Sequence, residues 1–177
     1  MRKELEIAIE AVKEAGKVSL ENFGGRVAFE LKSDKTPVTK IDKLCEKIIL
    51  QGIEGNFPKD SVLSEESKEK KKDPRRRWII DPIDGTKAFI HGIPTYGNMV
   101  AFEEDGEVVL GAINVPALKI LFYAQKGEGA FANGEKIGVS NVSQLKEACI
   151  LHGRGKGFLE KGYLKKLRKL LDSVYHS

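Results

Sequence analysis

Trp78-Ile79-Ile80 runs directly into Asp81-Pro82-Ile83-Asp84-Gly85-Thr86, and little else in the chain is as restrictive. The three apolar residues read as a short strand buried on both sides. Pro82 fixes its own φ and disfavours helix at Asp81. Gly85-Thr86 then opens what reads as a short helix through Lys87-Ala88-Phe89-Ile90. Asp81 and Asp84 therefore project together from the mouth of a strand-to-helix turn. Like charges held this close repel unless a cation lies between them. Hard oxygen donors suit magnesium, which keeps some waters and takes further ligands from substrate phosphate. The first N–H groups of the following helix, at Gly85 and Thr86, favour an anion. Metal and phosphate donors side by side are what phosphate-ester hydrolysis needs. Asp-Pro-x-Asp-Gly alone can be an ordinary turn. Here the apolar strand, Thr86 and a second acidic pair at Glu65-Glu66 argue for a site.

The surroundings are readable in outline. Residues 3–23 carry Leu5, Ile9, Val12 and Leu20 at helical spacing, and Gly24-Gly25 stops the pattern. A polar loop, Lys32 to Pro37, leads through Val38 to Thr39, an N-cap for a second helix reaching about Gly52. Ser61–Ser64 reads as a strand ending in Glu65-Glu66. The charge run from Lys68 to Arg77 has no interleaved aromatics. It reads as a solvated surface loop before an anion guide or a nucleic-acid patch. Strands are expected at 98–103, 108–115, 120–124 and 148–151, with a hairpin turn at Glu104-Asp105-Gly106-Glu107. Gly127 to Gly134 reads as short strands joined by tight turns, and 159–171 as a Lys-rich helix. Helices followed by a mostly antiparallel sheet give an α+β chain with a layered α/β/α arrangement. We expect an N-terminal metal-site domain over 1–145 and the start of a second domain over 146–177.

At 177 residues and 41% hydrophobic, the chain can bury a substantial core. A net charge of +4 is too small to point to nucleic acid. No apolar run approaches bilayer length and the N-terminus lacks a signal-peptide core, so a soluble cytoplasmic protein is expected. Cys45 and Cys149 are no disulfide framework and are expected to be buried thiols.

The Trp78–Thr86 segment resembles the signature of the inositol monophosphatase family, whose relatives include histidinol-phosphatases and archaeal fructose-1,6-bisphosphatases. Ser64-Glu65-Glu66-Ser67, Pro37-Val38-Thr39-Lys40-Ile41-Asp42, Gly111–Pro116 and Gly127–Ala130 are similar to further family segments. The resemblance implies a sugar-phosphatase-like fold. Its magnesium ligands would be Glu65, Asp81, the Ile83 carbonyl and Asp84. Asp42 and Thr86 would position the attacking water and, with Glu65, form the catalytic set. Gly85 and Thr86 would offer N–H groups to the phosphate, and Glu66 would support. Lys32 and Asp34 lie in a loop that contributes to the metal site in some members. The implied chemistry is in-line attack by a metal-activated water on a small phosphorylated metabolite, with no covalent intermediate. Thr86 to Asn98, including Phe89-Ile90-His91-Gly92-Ile93-Pro94, is similar to the histidinol-phosphatase-like branch, with inositol monophosphate the other substrate type. His91 reads as a helix-end residue.

The chain departs from the family after about Cys149. Members carry a second half with a Trp-Asp or similar segment, whereas the one Trp here is Trp78, and Asp172 does not match. The His152–Gly157 stretch reads as a flexible loop before a phosphate site. The C-terminal half thus reads as truncated, exposing apolar surface that a homo-oligomer would cover. No membrane or nucleic-acid partner is expected. The alternatives to an active phosphatase are a binding or regulatory protein on this fold, or a fragment of a longer phosphatase.

Overall fold

The computed structural model describes residues 1–25, 27–32, 37–152 and 155–175, the last span without the side chains of 155 and 156. The predicted site residue Asp34 and part of the His152–Gly157 loop lie outside the described residues. The chain divides into two compact units, Met1–Ile137 and Gly138–Ser177, and the 145/146 division drawn from sequence falls inside the second.

In the first unit, α1 (Lys3–Glu21) is followed by a two-stranded antiparallel ribbon of β1 (Phe29–Leu31) and β2 (Pro37–Thr39), then by α2 (Lys40–Asn56). Thr39 caps α2 as predicted, accepting from the N–H groups of Ile41 and Asp42 while the Asp42 carboxylate takes the Thr39 N–H. This capping box fixes the start of α2, and at the other end the helix runs past Gly52 to Asn56, where the Phe57 N–H donates to the Ile53 carbonyl. A seven-stranded sheet follows: β3 (Asp60–Ser64), β4 (Asp73–Asp84), β5 (Gly97–Glu104), β6 (Glu107–Val115), β7 (Ile120–Gln125), β8 (Gly129–Ala132) and β9 (Glu135–Ile137). Spatial order equals chain order, and every pairing is antiparallel except β3 with β4. The α+β reading holds.

Helices α1 and α2 pack on one sheet face. Leu5, Ala8, Val12 and Ala15 from α1 and Cys45, Ile49 and Ile53 from α2 meet Trp78, Ile80, Val100, Phe102, Leu110 and Ala112. Fully burying each large side chain contributes roughly 1.5–3 kcal/mol. The strand residues of that face are even-numbered, as period-two alternation requires. The opposite face carries an apolar groove of about 330 Å³ lined by residues such as Ile79, Met99, Ile113 and Phe122, the last two being register partners.

Two expectations need correction in this unit. Residues 78–80 are not a short strand buried on both sides. They are the middle of the long strand β4, in which Trp78 and Ile80 are buried and Ile79 only half-buried. The charge run is not wholly a loop, because Arg75, Arg76 and Arg77 belong to β4. Arg76 is held by Asp60 (2.9 and 3.1 Å), Glu4 (3.1 Å) and Glu104 (3.2 Å), and its guanidinium lies 4.7 Å from the Phe102 ring centre. Arginine in a strand is thus paid for by three carboxylates and a ring.

The predicted hairpin turn stands at Asp105-Gly106, both at positive φ (51° and 82°), as a tight turn matched to strand twist demands.

The second unit has α4 (Gly155–Glu160) and α5 (Leu164–Leu171) where one helix over 159–171 was expected; Gly162, at φ 71°, separates them. Residues 148–151 form no strand, only a lone bridge at Cys149, which is exposed. Four apolar residues cannot make a strand without a ladder to join. Cys45, in contrast, is fully buried as expected. Among the described residues no helix is long and apolar enough to cross a membrane.

Candidate metal and phosphate site

Strand β4 delivers the acidic motif to the end of the sheet. Asp81 pairs in register with Met99 and Asp84 with Gly97, and the ladder is irregular between them. That is where Pro82, with no N–H to offer, is tolerated. The buried Asn98 fixes the bulge: its side-chain amide donates to the Pro82 carbonyl at 2.6 Å, while its oxygen accepts from Ser19 of α1 at 3.3 Å. Gly85 turns the chain at φ 80°, and a Cβ there would lie 3.2 Å from the Thr95 carbonyl oxygen. The helix α3 (Thr86–Ile90) starts immediately after and ends at His91, the helix-end position predicted for it.

Asp42, Ile83 and Thr86 meet. The Thr86 hydroxyl lies 3.2 Å from Asp42 Oδ1 and 3.1 Å from the Ile83 carbonyl oxygen. A hydroxyl has one proton, so it donates to one of them at a time and keeps acceptor capacity for a third group. Asp42 is 1% exposed, and its other oxygen takes the N–H and hydroxyl of Thr39. The same carboxylate thus starts α2 and orients Thr86.

The acidic cluster sits alongside. Glu65 follows β3, its N–H donating to the Ile80 carbonyl at 3.2 Å, which sets it beside Asp81. Asp81 Oδ1 is buried with no hydrogen-bond partner. Burial, then the charges of Glu65 and Asp84, push the Asp81 carboxyl up to about 7. Lys32 Nζ reaches Glu65 at 2.8 Å and Glu66 at 2.6 Å. Burial opposes the Lys32 charge, but the two carboxylates hold its pKa well above the usual ammonium range. Glu66 is raised by burial, an effect Lys32 partly offsets.

The donor set fits a hard divalent cation. All its atoms are oxygen, and an orphaned buried carboxylate oxygen with a raised pKa is a group lacking a counter-charge. Among the described residues no group of three or more His, Cys, Asp or Glu is already drawn together around a metal position. Lys32 instead occupies one oxygen of Glu65. Burial, and next the charge of Asp42, push the Cys45 thiol up to about 12, which removes it from any nucleophilic role.

The sequence pointed to Asp42, Glu65, Asp81, Ile83, Asp84, Gly85 and Thr86, and all lie at this end of the sheet. It missed Asn98, although a polar residue in step with Val100 and Phe102 is a signal for a buried, partnered amide. It named Lys32 only as part of a loop.

An α+β layered protein with an oxygen-rich acidic pocket beside a strand-to-helix turn is the class these features define. The chain belongs to the inositol monophosphatase family, whose model matches residues 1–171. It is 44% identical over 165 residues to a histidinol-phosphatase of Chlorobaculum parvum, covering 93% of this chain and 61% of that protein. It is 40% identical over 147 residues to a fructose-1,6-bisphosphatase/inositol-1-monophosphatase of Thermotoga maritima, covering 82% and 56%. The chain therefore spans about three fifths of the length of these relatives. The extragenic suppressor protein suhB of Bartonella henselae superposes with a TM-score of 0.88 at 32% identity, covering 98% of this chain and 68% of that one. A Thermotoga maritima IMPase gives 0.87 at 35%, covering 98% and 67%.

Proposed function

We propose that the protein is a magnesium-dependent phosphomonoesterase acting on a small phosphorylated metabolite of the histidinol phosphate or inositol monophosphate type. The observation that carries this is the buried Asp81 oxygen without a hydrogen-bond partner, in a carboxyl that feels the charges of Glu65, Asp84 and the Thr86-bonded Asp42. Glu65, Asp81, Asp84 and the Ile83 carbonyl would hold magnesium, which when bound polarises the phosphate ester and lowers the pKa of water. Asp42 fixes Thr86, and the Thr86 hydroxyl has a lone pair free to orient a water for in-line attack at phosphorus. With its carboxylate in that pocket, Glu65 serves both binding and catalysis. Gly85 and Thr86 offer the first N–H groups of α3 to phosphate oxygens. Asn98, through Pro82, keeps the carboxylate-bearing turn in one conformation.

Histidinol phosphate is the first substrate to test, because the Phe89–Pro94 segment and the relative in Chlorobaculum parvum both favour it. We also propose a homo-oligomer that covers the apolar face bearing Ile113 and Phe122; a stable monomer in sedimentation at micromolar concentration would contradict it. Two free thiols accord with a cytoplasmic setting. The activity test is phosphate release from histidinol phosphate, inositol 1-phosphate, fructose 1,6-bisphosphate and phosphoadenosine phosphate, with magnesium and with EDTA. Release from at least one, abolished by EDTA, is expected; release unaffected by EDTA would sink the reading.

A further inference from the structure

We propose that Lys32 is a built-in counter-cation of the acidic pocket, competing with a divalent ion for Glu65 and parked on Glu66. This rests on Glu65, Asp81 and Asp84 being metal ligands, as proposed above. The ammonium of Lys32 bridges the two adjacent glutamates, at 2.8 Å from Glu65 Oε1 and 2.6 Å from Glu66 Oε1.

The two partners differ in a way that gives them separate tasks. The Glu66 side chain is 6% exposed, that of Glu65 49%. A buried carboxylate without a partner is costly, so Glu66 needs Lys32 permanently. Glu65 can be rehydrated, so its bond to Lys32 is the one that can be released. Lys32 follows β1 directly, so its backbone is tied to the ribbon and the exchange involves only the end of a flexible side chain. With no divalent ion present, one ammonium neutralises part of a pocket that also holds Asp81 and Asp84. When an ion arrives, Lys32 yields Glu65 and stays on Glu66. This gives Glu66 a task beyond support: it holds the displaced cation.

The signs of the consequences are opposite for the two residues. Lys32→Met removes both a competitor for Glu65 and a positive charge beside the ion. The variant should bind magnesium more tightly, on the order of tenfold, the scale of one partly screened unit charge. In EDTA it should melt below the wild type, because Glu66 is left unpaired. Glu66→Gln leaves Lys32 with Glu65 alone and should bind magnesium more weakly. A purely structural lysine would lower stability in the first variant without tightening the ion.

The experiment is isothermal titration of the 177-residue chain with Mg²⁺ for wild type, Lys32→Met and Glu66→Gln, with thermal melts of each in EDTA. Tighter binding by Lys32→Met together with weaker binding by Glu66→Gln is expected. Unchanged or weaker binding by Lys32→Met overturns the counter-cation role and leaves the metal site standing. Should Lys32→Met not fold, the Glu66→Gln titration decides: unchanged or tighter binding there overturns the proposal. No heat of binding from either wild type or Lys32→Met would overturn the metal site itself and this inference with it.

Discussion

Replacing Arg76 by Met would test how much of the first unit's stability rests on charge buried in the sheet. Asp60, with a side chain 6% exposed, accepts two bonds from Arg76 and one from the Trp78 indole at 2.9 Å. Glu4 (13% exposed) and Glu104 (33%) share the same guanidinium. Breaking a buried pair by removing one partner costs about 3–5 kcal/mol, whereas an exposed pair is worth at most about 1 kcal/mol. The Arg76 side chain is 26% exposed, and Arg2 still reaches Glu4 and Glu104, so water and a second cation recover part of the loss. That places the cost at about 2–3 kcal/mol, or a melting point lower by about 4–12 °C for a chain of this size. Urea unfolding followed by Trp78 fluorescence at pH 7 would read it as a lower midpoint with an unchanged slope. The double variant with Asp60→Asn should recover part of the loss, since the stranded charge is gone. Burial works to raise the Glu4 carboxyl, but its own backbone N–H, Arg76 and Arg2 hold it below its usual value. Arg2 likewise lowers Glu104. Carboxyls depressed on folding contribute stability above their unfolded pKa and lose it as pH falls through the folded one. The deficit of Arg76→Met should therefore shrink in acid. A cost below about 0.5 kcal/mol at pH 7 would show that the network behaves as solvated surface charge and refute this reasoning.

Further outcomes follow from single residues. Gly85→Ala forces a Cβ into the left-handed region and 3.2 Å from the Thr95 oxygen, so denaturant unfolding should show a loss of about 1–3 kcal/mol. Thr86→Val should lower kcat on the order of a hundredfold or more with little change in KM, while Thr86→Ser keeps most of it; steady-state kinetics on the best substrate separates the two. The Asp81 carboxyl is raised on folding from 3.8 to about 7, so wild-type stability in EDTA should fall as pH rises across that window. Asp81→Asn should therefore melt above the wild type at pH 8 in EDTA and lose that advantage near pH 4.

Much of this fold is local and could be read from neighbouring residues. Thr39 marks the start of α2, and Asp105-Gly106 marks a hairpin. The acidic turn was legible because Pro82 fixes its own φ and Gly85 supplies the left-handed φ that other residues rarely adopt. What escaped depends on contacts far apart in sequence. Arg76, in a run of three arginines, looks solvated until Glu4, Asp60 and Glu104 arrive from other elements. Lys32 looks like a loop residue until β3 brings Glu65 and Glu66 to it. Asn98 gains its meaning from Ser19 and the Pro82 carbonyl. In the second unit a single glycine, Gly162, was enough to divide a helix that Lys and Leu spacing made continuous.

Asp84→Asn keeps the size of the side chain at the end of β4 and removes its charge. Phosphate release from histidinol phosphate by wild type and Asp84→Asn, in magnesium and with matching circular dichroism spectra, is the most direct check on a metal-assisted phosphatase at this turn. Release by the wild type that Asp84→Asn abolishes is expected. Equal release by both proteins would place the chemistry elsewhere in the molecule.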